Sequence, residues 1–174
     1  NICYGATATL SDAISGGAWS SALPSIVSVG SLSGIITGAG IGSTAISYSV
    51  GPGNGCTVNK LINVLQLPTI FSVSGGGHFC ASGTGVPILL NGSVMGTNYF
   101  LYNGSFIATG PLTGTGGPLD FGLQTSGGTY HVVAVNTLTG CSQIMSGTPL
   151  IVADPTVLPE VNIALSSGTD TVCT

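Results

Sequence analysis

Charge is what this sequence has least of. Its 174 residues include one lysine, Lys60, no arginine and five acids, so 3% of the chain is charged and the net charge is −4. Soluble proteins average roughly 25% charged residues. Nucleic acid requires clustered cations, which are missing. A polybasic patch for an anionic membrane surface is missing too. No apolar run reaches the roughly 18–20 residues that span a bilayer, so membrane insertion is not expected. The first residues do not read as a signal peptide, and the chain reads as a mature, exported segment. Disorder fits badly, because disordered chains are charged and poor in β-branched residues. The 29 glycines lack a three-residue period, which excludes collagen.

Reactive chemistry is equally sparse. His78 and His131 are the two histidines. His78 is expected in a Gly-rich turn and His131 in a strand beside Tyr130. The cysteines form no CxxC pair, so a zinc site is not expected. Asp12, Asp120, Asp154, Glu160 and Asp170 are scattered. They make neither a calcium cluster nor a carboxylate pair for glycoside hydrolysis. A linker calcium at Asp154 or Glu160 is the best form of the metal idea. No G-x-S-x-G elbow is present. Gly38-Ala39-Gly40-Ile41-Gly42 fails the G-x-G-x-x-G spacing and reads as a tight turn. The chain is therefore expected to hold no catalytic residue, no cofactor and no metal, and not to be an enzyme.

What the sequence does have is many short alternating runs between Gly, Ser and Pro punctuation, which predicts an all-β fold of sandwich or barrel type. In the first half these are Ala6 to Leu10, Ala18 to Ser20, Ser25 to Val29, Gly34 to Gly38, Ser43 to Val50 and Thr57 to Leu67. The last run offers Val58, Leu61, Val64 and Leu65 to the core. Leu65-Gln66-Leu67-Pro68-Thr69 reads as a stiff linker. The second half supplies Ile70 to Ser74, Val86 to Leu90, Asn98 to Tyr102, Ser105 to Thr109, Leu119 to Leu123, Thr129 to Asn136 and Ser142 to Val152. Ala153 to Pro159 is a second proline-marked joint. The expected division is 1–67 for the first domain, 68–155 for the second, and 156–174 for a linker and projecting strand.

Trp19-Ser20-Ser21, Pro24 to Val29, Gly34 to Gly38 and Gly42 to Tyr48, in that order and spacing, resemble the bacterial immunoglobulin-like group 2 domain. With Cys3 and Cys56, the first third is similar to repeats of very large surface proteins of Bacteroidetes-type bacteria. Phe79 to Gly83, Gly128-Thr129-Tyr130 and Val135 to Cys141 resemble another Ig-like repeat of such proteins. The resemblance implies two tandem Ig-like β-sandwiches used as spacer or adhesive modules. It also implies a Cys80–Cys141 staple and an extracellular or cell-surface location.

Five cysteines in such a chain point to disulfides. Cys3 and Cys56 fall at the ends of the first half, and Cys80 and Cys141 at the ends of the second. Two bridges within domains leave Cys173 over. Either Cys173 bonds to the next unit as its Cys3, or it marks a reactive thiol. The tail favours repetition. Val161, Ile163 and Leu165 alternate with Asn162, Ala164 and Ser166, and Thr171-Val172-Cys173-Thr174 is similar in kind to Asn1-Ile2-Cys3-Tyr4. Only two residues precede Cys3, so the first sandwich is expected to be short of an opening strand. The tail of another copy, with Val161, Ile163, Leu165 and Val172 as its apolar contacts, is expected to fill that gap. The partners are copies of the chain itself, head to tail, as a covalent tandem array or as separate subunits.

Glycan is the second partner class. Asn91-Gly92-Ser93 and Asn103-Gly104-Ser105 are sequons, and Asn-Gly is equally a favoured hairpin dipeptide. Asp170-Thr171-Val172 resembles a short O-glycosylation motif of Bacteroidetes-type bacteria, with Thr171 as acceptor. Trp19, Tyr99, Phe100 and Tyr102 are candidates for a sugar-binding platform or for core filling.

Overall fold

A computed structural model describes residues 1–51 and 55–155. These form strands without helix, and the chain divides into two compact units, Asn1–Leu67 and Pro68–Thr174. The expected assembly strand, glycosylation site and fifth cysteine (Val161, Ile163, Leu165, Thr171, Val172 and Cys173) lie outside the described residues.

The first unit contains β1 (Ile2–Cys3), β2 (Thr7–Thr9), β3 (Ala18–Ser21), β4 (Val27–Val29), β5 (Ile35–Gly38), β6 (Gly42–Val50) and β7 (Cys56–Leu65). One sheet has the order β1-β7-β6-β3 and the other β2-β5-β4. Their inner faces share a core of Val27, Ile36, Ile46, Ile62 and Val64. The alternation of β6 is the clearest case of pattern becoming structure. Thr44, Ile46 and Tyr48 point inward and are buried, while Ala45 and Ser47 are only partly so. Gly34 has a φ of 65°, and a Cβ there would run into the Leu10 carbonyl and the Trp19 ring, so the β4–β5 turn requires glycine.

The second unit contains β8 (Val73–Gly75), β9 (Gly77–Cys80), β10 (Val86–Leu90), β11 (Thr97–Asn103), β12 (Phe106–Thr113), β13 (Leu119–Gln124), β14 (Gly128–Asn136), β15 (Ser142–Ile144) and β16 (Leu150–Asp154). Its sheets are β13-β10-β8 and β12-β11-β14-β16-β9, with β15 also on β14. Ile88, Leu90, Tyr99, Leu101, Phe121, Tyr130, Val132 and Ile151 fill the core. Burying a side chain of this size stabilises by about 1.5–3 kcal/mol.

Several expectations are corrected. His78 is not in a turn but in β9, paired with Val152, and its Nδ1 lies 3.1 Å from an Asp154 carboxylate oxygen. The glycines before it end one strand and open another. The run Ser142 to Val152 is two strands, because 145–149 leave the ladder at Gly147 and Pro149. In β7, Val58 and Leu61 are 61% and 64% exposed, and the core residues are Ile62 and Val64.

Truncating Leu101 or Ile36 to alanine should cost about 2–5 kcal/mol each. Leu138→Ala, in the exposed turn after β14, should stay within about 0.5 kcal/mol. Denaturant unfolding followed by circular dichroism measures all three.

Candidate assembly edge

The longest bare backbone in the first unit is the outer edge of β7. On its inner side β7 pairs with β6 over nine consecutive positions, Gly42↔Val64 to Val50↔Cys56, without a shift in register. On its outer side β1 covers only Val64 and Leu65. Among the described residues, no strand pairs with Cys56 to Asn63 on that side. Such an edge presents N–H and C=O groups in a regular row.

The side chains give the same account. Val58 and Lys60 alternate with Leu61 and share a face with Ile62 and Val64, which are 5% and 2% exposed. Across the ladder they face Tyr48 and Ile46. The core side of β7 therefore runs out into solvent over its first half. A groove of about 380 Å³ opens there, lined by Leu10, Asp12, Trp19, Ile46, Val58 and Lys60 among others. Trp19 and Tyr48 form its aromatic end, with ring centroids 4.5 Å apart. The Tyr48 hydroxyl is fixed by donating to the Ile14 carbonyl and accepting from the Gly17 amide. Lys60, the chain's one cation, sits on this open inner face.

Three other edges are blunted. The Trp19 amide of β3 donates to the Ser31 carbonyl. β12 contains Pro111 and two register shifts, and β13 pairs with β10 through another shift. Proline and bulges are standard obstacles to strand addition. Between β12 and β13 lies a cleft of about 630 Å³, lined by Asn103, Phe106, Thr109, Gln124 and Tyr130 among others, with no carboxylate or cation. Phe106 is 80% exposed there. Gln124 Nε2 donates to Thr109 Oγ1 and to the Phe121 carbonyl.

The remaining candidates are placed as follows. Tyr99 is not a platform residue: it is fully buried, and its hydroxyl accepts the Val94 amide. Phe100 and Tyr102 lie on the opposite face of β11, where Tyr102 stacks on His131 at 5.2 Å. Both sequon asparagines are tied to backbone: Asn91 Oδ1 accepts from the Ser72 amide, and Asn103 Nδ2 donates to the Gly127 carbonyl. Asn103 pairs with Phe106 across the two-residue turn Gly104-Ser105, where Gly104, with a φ of 56°, takes the first central position that favours glycine. Among the described residues, no group of three His, Cys, Asp or Glu could hold a metal ion, and no helix is long and apolar enough to cross a membrane.

Cys56 is a free, exposed thiol, so the expected Cys3–Cys56 bridge is absent. Cys3, Cys80 and Cys141 are disulfide-bonded, which is compatible with an oxidising, extracellular setting. The register also removes the Cys80–Cys141 staple. Cys80 lies beside Asp154, three positions past Ile151, which pairs with Gly128; Cys141 follows Asn136 at the other end of β14. The two sit on the order of 35 Å apart along the sheet, and a disulfide spans at most about 7 Å.

A scan against protein-family models gives no match to this chain, and a search of curated proteins gives none either.

A maleimide should label Cys56 in the native protein and leave Cys3, Cys80 and Cys141 untouched, as peptide mapping will report. Burial raises the pKa of the Tyr130 phenol, opposed by a hydrogen bond with Asn103. Its contribution to stability is fully present below the unfolded value of about 10 and fades as pH rises through the higher folded value. Tyr130→Phe should remove that alkaline loss in denaturant titrations repeated between about pH 8 and 11.

Proposed function

We propose that this chain is the structural repeat unit of an extracellular fibril or giant surface adhesin, assembled head to tail by β-strand completion. The observation that carries the reading is the open core face of β7. A closed sandwich would cover Val58 and the stem of Lys60, and both stand in solvent.

Strand order supports two tandem immunoglobulin-like sandwiches. In that fold strands B and E lie in one sheet and C, F and G in the other. Here β2, β5 and β4 fit B, E and D, and β3, β6 and β7 fit C, F and G. In the second unit β10 and β13 fit B and E, and β11, β14 and β16 fit C, F and G. Tyr130, early in β14, donates from its hydroxyl to the Ser126 carbonyl, four residues upstream. That is the contact of a tyrosine corner. The likeness of Trp19 to Tyr48 to bacterial Ig-like domains points the same way.

The occupant we assign to the β7 edge is the segment Val161–Val172 of another copy. Its alternating Val161, Ile163 and Leu165 suit a half-buried strand. Its charges also complement the groove. Lys60 shares the groove with Asp12, and a covering strand that carries carboxylates would add to the partners available to it. The tail segment brings Glu160 and Asp170. The contact is heterologous and propagates as a filament, not a closed ring. In the covalent version the tail belongs to the same long polypeptide, and in the other it comes from a separate subunit.

A second reading, recognition of neutral glycan, draws on the cleft at Phe106. Amides, hydroxyls and an exposed aromatic ring without charge suit a sugar ring. A glycan array with Phe106→Ala as control tests it, and no glycan-dependent signal removes it.

Electron microscopy of the native material should show filaments repeating at the length of two sandwiches. Intact mass after reduction and denaturation separates the versions: one unit mass for separate subunits, a very large mass for an array. For separate subunits, Ile163→Asp should reduce polymer about tenfold or more, through the cost of burying a carboxylate. Unchanged polymer with that variant contradicts strand completion.

A further inference from the structure

β13 turns a leucine out and a glutamine in. Its first inward residues are Leu119 and Phe121, both buried. Strict alternation would bury Leu123 next and leave Gln124 in solvent. The structure has the reverse: Leu123 is 56% exposed and Gln124 is buried. A bulge changes the parity. Leu89 pairs with Asp120 and Pro87 with Leu123, so Phe121 and Gly122 together oppose Ile88. Gly122 takes a φ of 75°, a conformation that favours glycine, and its amide donates to Asp120 Oδ1.

A polar side chain in a core position, with its apolar neighbour in solvent, is a local conflict of the kind that marks functional sites. One end of the Gln124 amide is committed to the bulge. Its Nε2 donates to the Phe121 carbonyl at 2.9 Å and to Thr109 Oγ1 at 3.2 Å. The carbonyl partner fixes which end of the amide is nitrogen. Among the described residues no donor reaches Oε1, and that oxygen is not sealed from solvent.

Gln124 and Thr109 line the cleft of about 630 Å³ from opposite sides, on β13 and β12. Thr109 Oγ1 already accepts a hydrogen bond, and among the described residues nothing accepts from it, so its O–H is left to donate. An unused acceptor and an unused donor therefore stand side by side. Tyr130 and Asn103 line the same cleft but donate to the carbonyls of Ser126 and Gly127.

We infer that the bulge of β13 builds a subsite for two neighbouring hydroxyls of a neutral sugar, with Gln124 and Thr109 as its specificity-determining groups. A sugar hydroxyl both donates and accepts. One gives its hydrogen to Gln124 Oε1, and its neighbour takes the hydrogen of Thr109. The C–H face of the ring lies on the exposed Phe106 side chain. The cleft holds no cation, so the carboxylate of a uronic acid would enter it unpaired. This rests on the glycan reading of the cleft and names the contacts within it.

Nuclear magnetic resonance of the full chain tests the subsite, with lactose, cellobiose and diacetylchitobiose as probes. At least one should shift the Gln124 side-chain amide and the Thr109 methyl together and saturably. The counterpart of that sugar with a uronic acid in place of one hexose should bind about tenfold more weakly; equal binding overturns the neutral-sugar assignment. Thr109→Val keeps the shape and removes the hydroxyl, and Gln124 Nε2 keeps the Phe121 carbonyl. That variant should retain the native spectrum and lose about fivefold in affinity. Unchanged affinity in Thr109→Val, or saturable shifts at Phe106 that bypass Gln124 and Thr109, overturns the subsite and leaves the glycan reading standing. No saturable shift with any of the three sugars overturns both.

Discussion

The first unit is organised by the β6–β7 ladder. β7 is held on one side by an unbroken nine-position register with β6, and this makes it straight and regular. The same regularity leaves, among the described residues, a row of backbone donors and acceptors without a partner strand on the other side, beside inward-facing Val58 and Lys60, which are exposed. A free edge alone is common and is usually kept short or bent. A free edge that also exposes the core face carries a second cost, because Val58 forgoes about 1.5–3 kcal/mol of burial. A strand that covers it recovers backbone pairing and apolar burial together, which is why completion by a matching segment is favourable.

The scarcity of charge belongs to the same account. Proteins commonly guard edges with lysine, and this chain has one lysine and places it on the bare edge. There Lys60 shares the groove with Asp12, the one acid that lines it. At β3, β12 and β13 the edges are managed without charge, by the Ser31 carbonyl on β3, by Pro111 and by the bulges of β12 and β13. A low-charge surface suits a unit whose neighbours cover much of it.

Much of the fold was legible because alternation survives wherever a strand is covered on one face. Thr44, Ile46 and Tyr48 in β6 read directly from period two, whereas Val86 to Leu90 in β10 is an unbroken apolar run in which only the fold separates buried Ile88 and Leu90 from exposed Leu89. β7 misled because apolar residues occupy both parities, and Val58 lies on the core side yet is uncovered. Its exposure depends on what lies beyond the ladder, which no local pattern encodes. β9 was hidden by Gly75-Gly76-Gly77: glycines that let a strand change sheets look the same in sequence as glycines of a turn. The cysteine pairing failed for a related reason. Position along the chain suggested Cys80 with Cys141, and only the register of β14, β16 and β9 puts them at opposite ends. At the candidate edge, the exposure of Val58 and Lys60 on the inward face of β7 leaves no mark in the local pattern.

Because Lys60 is the chain's one lysine, a zero-length carbodiimide cross-link gives the most direct test. Light and heavy isotope-labelled chains are mixed, assembled, treated and mapped by mass spectrometry. Strand completion between separate subunits predicts mixed-isotope cross-links from Lys60 to Asp170 or Glu160. Cross-links from Lys60 confined to single-isotope pairs, or reaching only Asp12 of the same chain, would contradict it.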